Sequence, residues 1–183
     1  RRLMIQSSID IENMVRNDLA KVLALKIDYA ALYGTGNSGE PLGLLNTSNV
    51  NDVQFSSSAI DWPKLVDMES AVAADNALSG NLAYLTNASQ FGAMKSTEKG
   101  TGTARFLYEN GNLNGYPVHV SNQVTGAHVW FGNWSDMIMA YFSGLDIMVD
   151  PYQHSTSGTV RVIAMQDVDV AVRHPESFCK GDN

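Results

Sequence analysis

The chain has 183 residues, 44% hydrophobic and 17% charged, a composition that supports one ordinary globular domain or two small ones with a sizeable core. Its net charge is −7, and no Lys/Arg cluster exceeds the Arg1–Arg2 pair, so strong direct binding of nucleic acid is not expected. A single cysteine, Cys179, excludes an intrachain disulfide and a Cys-built metal site, and the lack of an apolar run of about 18 residues argues against a membrane-spanning helix.

Between Ile9 and Tyr33, Ile11, Met14, Val15, Val22, Leu25, Tyr29 and Leu32 recur at helical spacings. The pattern predicts one helix of about 37 Å, capped by Ser8 or Asp10, with those residues as its buried stripe and Gly34 as a left-handed C-terminal glycine. A start without Met that enters this pattern almost at once suggests a fragment lacking its natural N-terminal portion. Next comes YGTGNSGEPLG, in which Gly34, Gly36 and Gly39 have G-x-G-x-x-G spacing. A dinucleotide-binding turn needs a strand before it and a helix after it; here a helix precedes and Glu40-Pro41 blocks a helix start. A nucleophile elbow around Ser38 fails too, since Glu40 stands where its last glycine belongs. The stretch therefore reads as a flexible turn leading into an extended PLGLLN.

Residues 46–60 are rich in Ser and Asn and read as a connecting loop and candidate domain boundary. Asp61 then precedes a second helix with Pro63 in its first turn and Trp62, Leu65, Val66, Val72 and Ala73 as its stripe, ending at Ser79-Gly80. LAYLT reads as a strand and Asn87 as the cap of a third helix through about Lys95, while the Gly/Thr-rich 96–104 is expected to be mobile. GYPVHVSNQV, HVWFGNW, MIMAYF, LDIMVD and TVRVIAMQDVDVAVRH read as strands. In the last, Val160, Val162, Ala164, Val168, Val170 and Val172 share one face, with Arg161, Asp167, Asp169 and Arg173 on the other, and residues 159–173 are long enough to need a bend or bulge. Early helices and late antiparallel strands make the fold class α+β.

Chemistry is sparse along this chain. Asp167 and Asp169 stand about 7 Å apart on one strand face with Arg161 and Arg173 beside them, which suits a solvated face with cross-pairing better than a shared metal ion. Asp146 and Asp150 alternate with Leu145, Ile147 and Val149 as on a half-buried strand. His119, His128, His154 and His174 show no metal-binding spacing. Cys179 lies in what reads as a frayed tail without an activating neighbour beyond Lys180. Trp130, Phe131, Trp134, Tyr141 and Phe142 lack interleaved cations and read as core or subunit interface. The expectation is no catalytic residue, no cofactor-binding residue, no metal and no cofactor.

The order RRLMIQSSIDIENMVRNDLAKVLALKIDYAALYGTGNSGEPLGLLN, NGYPVHVSNQV, FGNWSDMIMAYFSGLDIMVDPY and VRVIAMQDVDVAVRHPESF resembles the major capsid proteins of tailed bacteriophages, the Hong Kong ninety-seven type shell fold. The resemblance implies a peripheral domain, residues 1–54 and 146–183, with a spine helix over 9–33 and long strands including 159–173. It implies an axial α/β domain over 55–145. It further implies a structural, non-enzymatic subunit that self-assembles into pentamers and hexamers around packaged DNA. Scaffold, portal and head-completion proteins are the other expected partners, assembly belongs to the bacterial host cytoplasm, and the product is a virion. The family's N-terminal arm and extended hairpin loop are expected to be missing, so its Lys–Asn cross-link transfers to no residue here, and this chain alone should fold without closing into heads. An encapsulin-like compartment shell is the alternative, with a hydrolase or metal enzyme a more distant one.

Overall fold

The computed structural model describes residues 9–55, 60–150, 152–153, 157 and 161–182, residues 9–12 by backbone alone. Arg1, Arg2, Ser8, His154 and Val160, and the side chains of Asp10 and Ile11, lie outside the described part. Helix α1, Ile9–Tyr33, has the expected bounds. It turns a different side inward, however. Ile27, Ala31, Leu32 and Tyr33 are buried, with Val15, Leu19 and Leu23 half-buried above them, whereas Met14, Val22, Leu25 and Tyr29 of the expected stripe are exposed. Both faces carry apolar residues, and among the described residues it is the face at spacing four along 15, 19, 23, 27 and 31 that is covered.

Gly34 ends α1 without a left-handed backbone; its N–H still donates to Ala30 O at 2.8 Å. Glycine is needed there for closeness: a Cβ would stand 2.2 Å from Pro41 O, and Gly43 N–H donates to Gly34 O at 2.9 Å across the same contact. A single 3-10 turn, Leu44–Asn46, follows, and Asn46 Nδ2 donates to Gly34 O at 2.8 Å, anchoring the turn to the helix end.

The loop expected over 46–60 contains strand β1, Asn51–Gln54. Helix α2, Trp62–Ala74, is capped by the Asp61 carboxylate, which accepts from Lys64 N, and it ends before the expected 79–80. Leu65, Met68 and Val72 form its buried stripe, while Ala73 is exposed. Strand β2, Leu82–Thr86, leads to Asn87, whose Oδ1 accepts from Gln90 N at 2.9 Å to open helix α3, Ala88–Ser96. Residues 97–107, expected to be mobile over 96–104, close on themselves, with Lys99 N–H donating to Arg105 O and Leu107 N–H to Thr97 O.

Among the described residues, nine further strands divide between two assemblies: β3 Tyr108–Glu109, β4 Asn112–Leu113, β5 Tyr116–Val120, β6 Val129–Asn133, β7 Met137–Tyr141, β8 Asp146–Asp150, β9 Arg161–Met165, β10 Val168–Val172 and β11 Phe178–Asp182. A mixed seven-stranded sheet has the order β1-β11-β6-β2-β5-β4-β3. Strand β6, held between β11 and β2, is buried at all five positions. Alternation sorts its side chains: Val129 and Phe131, with Tyr84 and Cys179, join Leu65, Met68, Val72, Met94, Leu107 and Leu113 under α2 and α3, while Trp130 and Phe178 meet Leu32, Tyr33, Leu44 and Val124 at the end of α1. Cys179, expected in a frayed tail, is wholly buried in β11 because that strand is clasped between β1 and β6.

The remaining strands form a ribbon that leaves the sheet after residue 136 and returns at 173. Strand β7 pairs with β10 from Met137↔Val172 to Tyr141↔Val168, and β8 with β9 from Asp146↔Met165 to Asp150↔Arg161. Between the two pairs, residues 142–145 stand opposite 166–167, so the outgoing chain carries two extra residues and the ribbon bends there. The run expected as one strand over 159–173 is therefore two. Strand β8, expected to be half-buried, exposes Met148 and Val149.

Candidate functional site

Three convergences of polar side chains among the described residues bear on function, and each has a structural account. The largest convergence is at the base of the ribbon. Asp136 stands just before β7 and Arg173 just after β10, Arg173 N–H donates to Asp136 O at 2.8 Å, and Asp136 is 4% exposed. It accepts from Asn133 Nδ2 at 2.8 Å, from Ser177 Oγ at 2.9 Å, and from Arg173 through Nε at 3.0 Å and again through Nη2. Burial alone would push the Asp136 carboxyl upward; the bonds from Ser177, Arg173 and Asn133 outweigh it and hold the group below the usual carboxylate range. Asn133 Oδ1 meanwhile accepts from Asn81 N and Ser135 N, so this network ties the ribbon's two ends to the sheet.

His174 Nδ1 lies 2.7 Å from Ser177 Oγ, which brings Ser, His and Asp together. The order of contacts differs from that of a nucleophilic triad: Ser177 donates directly to Asp136, His174 contacts no Asp136 atom, and Ser177 is 1% exposed. Nothing outside the protein can reach that hydroxyl.

A second convergence surrounds Tyr33 at the end of α1. Its hydroxyl accepts from Thr125 N at 3.2 Å and from Trp130 Nε1 at 3.5 Å and meets His128 Nδ1 at 3.0 Å, while His128 Nε2 lies 3.5 Å from Asp182. The arrangement pins the helix to the sheet. Beneath α2, Glu69 accepts from Tyr116 OH at 2.9 Å and from Asn114 Nδ2, securing the β4–β5 turn.

Other candidates from the sequence remain apart. Ser38 sits in an exposed turn between Gly36 and Gly39 with φ of 56°, and Glu40 there accepts from Thr35 Oγ1. The cross-pairing expected among Asp167, Asp169, Arg161 and Arg173 does not form: Arg173 is drawn to Asp136 by the β7–β10 register, and Arg161 donates to Gln153. Asp150 Oδ1 accepts from Tyr152 N, Asp146 is exposed, and His119 is exposed on β5. Burial, followed by the nearby Asp52 charge, pushes the Cys179 thiol up to about 12. Among the described residues no three His, Cys, Asp or Glu side chains gather around a point where a metal could sit.

What the molecule does present is apolar surface. Among the described residues, twelve of the seventeen exposed large hydrophobic side chains lie on α1 or the ribbon, including Met14, Val22, Leu25 and Tyr29 on the helix and Phe142, Met148, Val149 and Tyr152 on the ribbon. Phe142 is 74% exposed and Tyr152 83%. Trp130 and Phe131, by contrast, are wholly buried. Apolar exposure concentrated on two elements, instead of scattered singly, is how protein–protein contact surfaces read.

The long helix, bent ribbon and mixed sheet together are the fold of phage capsid proteins. The full chain, residues 1–183, matches the phage capsid family, and it belongs to that family. It is 37% identical over 179 residues to the major capsid protein of Halomonas phage phiHAP-1, covering 97% of this chain and 29% of that relative's length. The capsid of an empty GTA particle superimposes with a TM-score of 0.79 at 21% identity, over 99% of this chain and 69% of that one. The holo-SrpI encapsulin complex of Synechococcus elongatus PCC 7942 superimposes with a TM-score of 0.67 at 13% identity, over 97% and 66%. These two structural likenesses are likenesses of fold.

Proposed function

We propose that this chain is part of a structural subunit of a phage or prophage head, self-assembling into five- and six-membered capsomers around packaged DNA. The observation that carries the proposal is the concentration of exposed apolar side chains on α1 and the ribbon, surfaces that a shell covers with neighbouring subunits. Identity of 37% to a phage major capsid protein against 13% to the encapsulin favours the phage reading over a cargo compartment. The role is non-enzymatic on this reading, and the buried Ser177 and the engaged Asp136 accord with it. Assembly would take place in the bacterial host cytoplasm with scaffold, portal and head-completion proteins, and the subunit would end in the virion.

The peripheral and axial division at 1–54 with 146–183 and at 55–145 belongs to the same proposal. On it α1 and the outer ribbon are peripheral, the sheet with α2 and α3 is axial, and β1 and β11 link the two by completing the sheet's edge. Val22→Glu and Phe142→Glu, separately and together, test the proposal in the full-length protein. Capsid yield should fall while the melting temperature of the free subunit holds. Unchanged yield from the double variant, or particles enclosing protein cargo without nucleic acid, would overturn it.

A further inference from the structure

The hairpins joining β3, β4 and β5 turn through Asn110-Gly111 and Asn114-Gly115, the two Asn-Gly pairs of the chain. Each pair has positive φ at both positions, 54° and 86° then 51° and 86°, the conformation that two-residue hairpins require and that Asn and Gly tolerate. As turns the two are equivalent; as chemical environments they are not. Asn114 is half-buried and its carboxamide is held by the Glu69 carboxylate. Asn110 is exposed, and among the described residues nothing bonds its carboxamide. Gly111 brings no side chain to shield its own nitrogen, and among the described residues nothing beyond its two chain neighbours lies within 4 Å of where its Cβ would be.

From this contrast we infer that Asn110 is a site of spontaneous deamidation and that Asn114 is protected from it by Glu69. The Gly111 backbone nitrogen, having lost its proton, attacks the Asn110 side-chain carbonyl carbon; a C–N bond forms, and the amide nitrogen leaves with protons as ammonia. Water then opens the cyclic imide at either carbonyl, giving aspartate or isoaspartate with no change of oxidation state. The attack requires the nitrogen to come into line with the carbonyl carbon, and opening of the hairpin gives the chain the freedom to do so. Opening costs little where β3 and β4 have only two residues each. Isoaspartate lengthens the main chain by one carbon and adds a carboxylate next to Glu109, which breaks the Tyr108↔Leu113 and Glu109↔Asn112 register. The modification is thus an ageing mark at the sheet's far edge, independent of the assembly role.

The test incubates the folded protein at mildly alkaline pH and maps peptides by mass spectrometry, with isoaspartyl methyltransferase labelling as a second readout. A parallel sample is kept unfolded in urea. In the folded sample, modification at Asn110 should exceed that at Asn114 by about tenfold or more, since a hydrogen bond to a charged partner must be broken at Asn114. In urea the two sites should convert to similar extents. Glu69→Gln, which keeps the shape but removes the charge, should narrow the folded-state ratio, and Asn110→Gly should abolish the major product while retaining the turn. Equal conversion of the two sites in the folded protein, faster conversion at Asn114, or no conversion at Asn110 while the urea sample reacts would overturn the inference.

Discussion

Asp136→Asn should loosen the ribbon from the sheet. The substitution preserves shape but gives one of two accepting oxygens to an NH2 group, in a site where Asn133, Ser177 and Arg173 all donate. Hydrogen bonds to a charged partner contribute roughly 1.5–3 kcal/mol each, and losing one side of a fully buried ion pair costs about 3–5 kcal/mol. The Arg173 side chain is 69% exposed and can be rehydrated, so the lower part of that span applies and a loss of about 2–3 kcal/mol is expected. For a chain of this size each kcal/mol moves the melting temperature by about 2–4 °C, which puts the shift near 5–10 °C. The pH dependence has a definite sign. Because the folded-state pKa of Asp136 is depressed, its stabilisation is present above the unfolded carboxylate value and is lost as pH falls through the folded value. Thermal melts of wild type and variant should therefore differ most near neutrality and draw together below about pH 4. A variant that melts within about 1 °C of wild type at neutral pH, or a gap that persists undiminished in acid, would refute this account of the ribbon's anchor.

Gly34→Ala should cost about 2–4 kcal/mol, because its methyl would stand 2.2 Å from Pro41 O and 2.6 Å from Ala30 O and force the Gly34–Gly43 contact apart; a denaturant melt measures it. Leu25→Asp, at a site 49% exposed, should change free-subunit stability by no more than about 0.5 kcal/mol, while Ile27→Asp, at a buried site on the inward face, should cost several kcal/mol or unfold the protein, which circular dichroism would show. Cys179 should resist a thiol reagent at pH 8 in the native protein and react fully in denaturant, since burial raises its thiol and blocks access.

Where the helices begin was readable because those signals are local, whereas the end of α2 came earlier than Ser79-Gly80 suggested. Asp61 and Asn87 cap within three residues of their own positions, and the run from Ile9 to Tyr33 contains no glycine or proline. Which face of α1 turns inward was not readable, because Met14, Val22, Leu25 and Tyr29 repeat as well as the residues that pack. Periodicity reports that an apolar partner exists without saying whether it belongs to the same chain. Strand β1 escaped notice since Asn51, Asp52 and Gln54 are polar and the strand is fixed by β11, far along the sequence. The same distance hid Asp136: its partners at 133, 173 and 177 meet only once the ribbon returns, and the one local signal was an acid shortly after Asn133 and Ser135 and just before a strand. The bend in the ribbon was foreseeable from strand length alone, whereas the burial of Cys179 required knowing that the C-terminal strand pairs on both sides.

The central claim is that the exposed apolar faces of α1 and the ribbon are the surfaces by which subunits meet. Hydroxyl-radical footprinting of assembled particles and of the same particles dissociated into free subunits tests it directly. Met14, Tyr29, Phe142, Met148, Tyr152 and Met165 should be oxidised readily in free subunits and strongly protected in particles. Equal oxidation of these residues in the two states would contradict the account.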